Sequence, residues 1–153
     1  MTAFLLSVHV IGAIVLIGPI TVAASLFPRY GREALRDGSD GAVVKLLHRI
    51  SVGYSVAAVA VPVFGVATGA KLGVLTDPWL LVSMALTALA VVLLAVVIVP
   101  EQRRILAVIT GQAPDDSVTA RLKRLSMVTG MFALTWVVVT VLMIVRPGST
   151  TGV

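Results

Sequence analysis

Two histidines, His9 and His48, and no cysteine leave this chain with little that can ligate a metal or move a proton near neutral pH. Four stretches, residues 1–28, 50–70, 78–100 and 125–145, contain no Asp, Glu, Lys or Arg at all. His9 lies inside the first of them and His48 outside all four, so His9 is the candidate site residue. An imidazole in an apolar span is costly and usually faces the interior of a bundle, where two uses are open. It can bind a ligand, most specifically haem iron as an axial ligand. It can equally hydrogen-bond a carbonyl or hydroxyl on a neighbouring helix and lock the packing. Gly12 and Ala13, three and four residues further on, share its face and leave room beside the ring for a planar ligand or a second helix.

Other chemistries lack their parts. Without a carboxylate in any of the four stretches, a proton relay or cation site built on buried acids has nothing to start from. There is no HExxH, no Gly-rich phosphate loop and no paired-acid motif. We therefore assign no catalytic residue and no metal site. Met84, Met127, Met131 and Met143 read as core fillers rather than second haem ligands. Ser7, Thr21, Ser25, Ser51, Tyr54, Ser55, Thr68, Ser83 and Thr87 read as interhelical hydrogen-bonding groups rather than a substrate path.

Each charge-free stretch is long enough to carry His9, or anything else, across a bilayer, since roughly 20 apolar helical residues span the hydrocarbon core. The composition agrees: 58% hydrophobic and 12% charged, against about 25% charged in soluble domains. The expected fold is all-α, a four-helix transmembrane bundle in one domain over residues 1–153. The spans are expected at about 3–27, 50–72, 78–99 and 125–145, with connections at 28–49 and 100–124 and a disordered tail at 147–153. Within the connections the second helix is expected to start around Gly41, and Arg103 to Leu106 to extend a bent third helix a turn or two beyond the bilayer. Ten of the twelve Lys and Arg residues fall in the two long connections and only Lys71 and Arg146 elsewhere. Short loops rich in Lys and Arg stay on the cytoplasmic side, which predicts both termini outside. No basic residue precedes the first apolar run, so that run is expected to be retained as a helix rather than cleaved as a signal peptide.

Turn chemistry sharpens the boundaries. Pro19 and Pro62 sit inside spans one and two and should disturb them. Asp40, Asp77 and the Asp115-Asp116-Ser117 run are placed to cap the second, third and fourth helices. Gly53, Ala57, Val61, Gly65 and Gly69 recur every four residues and strip one face of bulk. That face, through Gly65 and Gly69, suits close packing inside the bundle or a homodimer seam. The pI near 10.5 points to anionic lipid head groups at the basic connections, not to nucleic acid.

The segment from Ser7 through His9 to Gly18-Pro19, followed by Leu26-Phe-Pro-Arg-Tyr30, resembles the first helix of small four-span bacterial membrane proteins of an unknown-function domain type. These are distantly similar to the copper-resistance D proteins and the HemJ-type protoporphyrinogen oxidases, and Asp77-Pro-Trp79 extends the likeness to span three. The resemblance implies a helical bundle in a bacterial inner membrane, with His9 at the position of the histidine that binds haem b in the HemJ-type enzymes. The chain departs from those enzymes in lacking the lysine early in span three, where it reads Leu80-Leu-Val-Ser83-Met, and in a longer interval from His9 to Pro28. Three functions follow as expectations: a non-enzymatic subunit, assembly or binding protein; a haem b-binding redox protein using His9; or a small oligomeric transporter or channel.

Overall fold

The computed structural model describes residues 2–148, and the expected tail beyond them lies outside the described residues. Four long helices and no strand make up these residues: α1, Thr2–Asp37; α2, Ala42–Leu72; α3, Pro78–Ile109; α4, Val118–Val145. All four are long and apolar enough to cross a membrane. The helices run on past the expected spans, so the connections are short turns at the ends of longer rods. Because α1–α2 and α3–α4 join at the end where the basic residues cluster, this is called the basic end. The opposite end carries both termini.

Local sequence explains where the rods stop. Between α1 and α2, Gly41 adopts φ +69°, and a Cβ there would also lie 2.7 Å from Ile109 Cγ2, so both backbone and space require glycine. Asp40 Oδ1 then accepts the Ala42 N–H at 3.1 Å, as its capping position suggests. The two other expected caps differ. Asp77 caps through its backbone carbonyl, which accepts from Leu80 and Leu81, while its carboxylate accepts the Trp79 indole N–H at 3.1 Å. Ser117 makes no side-chain cap either, because its hydroxyl donates to Asp115 Oδ1.

The prolines do not end their helices. In α1 a π-helical turn, Ala13–Ile17, closes two residues before Pro19; in α3 the same device, Leu93–Ile98, closes two residues before Pro100. A proline removes one N–H and pushes its ring at the carbonyl four residues back. A wider turn moves that carbonyl aside and lets the helix continue. In α2 the helix is interrupted instead at Val59, three residues ahead of Pro62.

Packing is uneven along the bundle. At the basic end all four helices meet, with Ile20, Phe27, Ile98, Ile105, Leu122, Leu125 and Phe132 buried in one cluster. Towards the termini the bundle divides into two pairs. The Thr2–Gly12 stretch of α1 lies along Ala60–Leu72 of α2, and Pro78–Val92 of α3 lies along α4; between the pairs contact is marginal. Thr2–Gly12 buries no residue fully. Phe4, Ile11, Ile14, Val56 and Leu134 are each more than half exposed, an arrangement that lipid tolerates and water does not.

Candidate binding site

His9 sits where α1 passes α2. Two small residues permit the approach. Gly12 faces Val61, and a Cβ on Gly65 would lie 2.9 Å from the His9 Cε1 atom, so the imidazole fills the space that Gly65 leaves. From there Nδ1 reaches the Val61 carbonyl oxygen at 2.8 Å. A carbonyl only accepts, so Nδ1 carries the proton, and in the neutral ring Nε2 is left with its lone pair. Nε2 has no partner among the described residues, and the ring is half-buried. The expected packing bond to a neighbouring helix is therefore present, and it leaves the second nitrogen available.

Gly65 and Gly69 both have neighbours within the chain. A Cβ on Gly69 would come within 2.9 Å of Leu80 Cδ2, so this glycine brings α3 against α2 near their connection. The small-residue face does not continue as one surface. Gly53 and Ala57 lie exposed on the other side of the Val59 interruption, and nothing would meet a Cβ on Gly53.

His48 is far from His9. It lies in α2 rather than in a loop, thirteen residues from Val61, which is about 20 Å along a helix. Its Nδ1 pairs with Gln102 Oε1 at 3.2 Å, and Gln102 Nε2 donates to Ser51 Oγ at 3.2 Å. Gln102 and Ser51 are both 0% exposed. This polar bridge between α2 and α3 was not foreseen from the sequence, where Gln102 falls just beyond Pro100 in an expected connection. A signal existed: Gln102 shares a helical face with Ile98 and Ile105, both fully buried. The neighbouring Glu101, also buried, accepts from Arg121 at 2.7 Å and from Arg104 at 3.4 Å.

Arg121 reaches in turn to Asp115 at 2.6 Å. The Ser117 hydroxyl and backbone N–H bond to Asp115 as well, and these bonds, with Arg121, hold its carboxyl below the usual carboxylate range. The α3–α4 connection is thereby tied to both helices.

Of the hydroxyls expected to bond across helices, Ser51 does, through Gln102. Ser7, Thr21, Thr68, Ser83 and Thr87 instead each donate to the carbonyl four residues back, and Ser55 donates to Ser51 in the same way. The helix's own carbonyl is the nearest acceptor and satisfies the hydroxyl without a partner. At the terminal end Arg146 lies over the Trp79 ring, 5.6 Å from its centroid, linking the end of α4 to the start of α3.

These features fit one family. Residues 3–147 match the model of the predicted integral membrane proteins known as DUF2269. The chain belongs to that family. As a DUF2269 member it is a small four-span integral membrane protein, in agreement with the resemblance seen in its first helix. No curated protein and no solved structure matches it. Within this DUF2269 chain, polar chemistry enters the helices at His9, at the His48–Gln102–Ser51 bridge and at the Glu101–Arg121 pair.

Proposed function

We propose that this protein is a non-enzymatic binding subunit of a bacterial inner membrane, with both termini outside, that engages its partner at the divided terminal end through His9. The carrying observation is the His9 imidazole, oriented by Val61 with Nε2 left over. A residue kept only for packing needs one bond, and His9 has that bond and a second, unused nitrogen. The four charge-free stretches supply no acid to work with it, which favours binding over catalysis. A photocrosslinker at Val10, exposed beside His9, should trap a discrete protein species in native membranes and lose it in His9→Ala. Crosslinks to lipid alone, unchanged in the variant, would contradict the proposal.

The same nitrogen supports a second reading, His9 as an axial ligand of haem b. Histidines that ligate metals commonly donate the other ring N–H to a carbonyl, which fixes the tautomer and makes the free nitrogen more basic. His9 fits one axial position. Among the described residues no methionine is placed to fill the other, because Met84, Met127, Met131 and Met143 all lie on α3 and α4, which barely touch this part of α1. A Soret band in the purified protein that vanishes in His9→Ala would establish this reading over the first.

A further inference from the structure

A groove of about 510 Å³ runs along α2 where α1 leaves it uncovered, lined by Leu16, Leu46, Arg49, Ile50, Gly53, Tyr54 and Ala57. Its lining is apolar except at Arg49 and the Tyr54 hydroxyl. Arg49, Gly53 and Ala57 follow one another at intervals of four, so the groove is a straight track on one helical face with its cation at the basic end. The track is open to the surroundings, and Gly53 contributes only backbone to its floor, with open space over it. Arg49, like most basic residues of this end, has no acidic partner within salt-bridge distance among the described residues, and it is the one that lines the groove.

We propose that this groove holds one anionic phospholipid, an acyl chain along Gly53 and Ala57 and the phosphate on Arg49. Charge and length both choose this occupant. From Arg49 to Ala57 the track covers about 12 Å of helix, and the Val59 interruption follows it at once. An acyl chain hanging from a phosphate at the head-group level fits a track of that length, and the negative charge of the phosphate meets the Arg49 guanidinium. The site is separate from His9 and does not depend on the role proposed for it.

Native mass spectrometry of the detergent-purified protein, titrated with phosphatidylglycerol and phosphatidylcholine, reads occupancy directly. One phosphatidylglycerol should bind in preference to phosphatidylcholine. Arg49→Gln should weaken it about fivefold, the value of one basic residue at a membrane surface. Gly53→Leu, whose Cβ has open space around it, should remove the site by filling the track. Arg103→Gln, at the same end but outside the groove, should leave binding unchanged. Equal losses in Arg49→Gln and Arg103→Gln with none in Gly53→Leu would reduce the effect to general surface charge and overturn the proposal. A dimer that Gly53→Leu dissociates would overturn it in favour of a second copy in the groove.

Discussion

The two ends of this bundle are made from the same apolar helices and are held together differently. At the basic end four helices share one buried cluster, and Gln102 ties α2 to α3 through Ser51 and His48 while Glu101 ties α3 to α4 through Arg121. At the terminal end two helix pairs lie side by side, and the α1–α2 pair is joined by a single side-chain bond, His9 to Val61, over glycines that let the backbones close. Apolar residues cannot account for the difference, since lipid is as apolar as leucine and gives helices no hydrophobic reason to meet. Small residues and polar bonds decide which helices touch. A surface left with few of both, and with His9 Nε2 lacking a partner among the described residues, is free to take something else.

This contrast can be broken most severely at the basic end. Gln102→Ala leaves Ser51 and His48 facing a void, and we expect a loss of about 1–3 kcal/mol from the unpaired groups, with the cavity adding to it. Unfolding in mixed micelles by a denaturing detergent would measure it. A smaller effect is expected of Gly65→Ala, whose methyl must push the imidazole away. The displaced ring should cost about 1 kcal/mol and lose its fixed tautomer. His9→Ala comes next, at about 0.6 kcal/mol, the usual value of an interhelical hydrogen bond in a membrane. If His9→Ala proved as damaging as Gln102→Ala, the distinction between the ends would fail.

The smallest effect belongs to Asp115. Its carboxyl is held below the usual range chiefly by the Ser117 hydroxyl, so its contribution to order is full above the ordinary carboxylate value of about 4 and is lost as pH falls through the lowered one. Protease cutting in the 110–117 connection should rise below about pH 4, and Asp115→Asn should raise it at neutral pH without loosening the helices. Cutting unchanged by either treatment would show that the Asp115 bonds do not order the connection.

Much of the fold was legible because charge-free length is a coarse and strong signal: four stretches without a charged residue became four helices. Helix ends were less legible. Asp40 behaves as its position suggests, yet the Asp77 carboxylate turns to the Trp79 indole, and Asp115 divides its oxygens between Ser117 and Arg121 rather than capping the first turn of α4. The site was half legible. His9 stood out by its cost in an apolar span, and the notion of a packing bond to a neighbouring helix followed from that cost. Gln102 was hidden: the helix does continue past Pro100, as Arg103 to Leu106 suggest, but the π-turn ahead of that proline sets which face turns inward and puts Gln102 there. No pattern in a single sequence announces such a turn.

The central claim is that His9 is held at Nδ1 and presents a bare Nε2. ¹⁵N NMR of the histidine-labelled protein, with His48→Gln leaving a single labelled ring, reads the tautomer directly. The account predicts a proton on Nδ1 with a large one-bond coupling and an unprotonated Nε2 at pH 7.5. A proton on Nε2, or an averaged signal from a ring exchanging freely between tautomers, would contradict it.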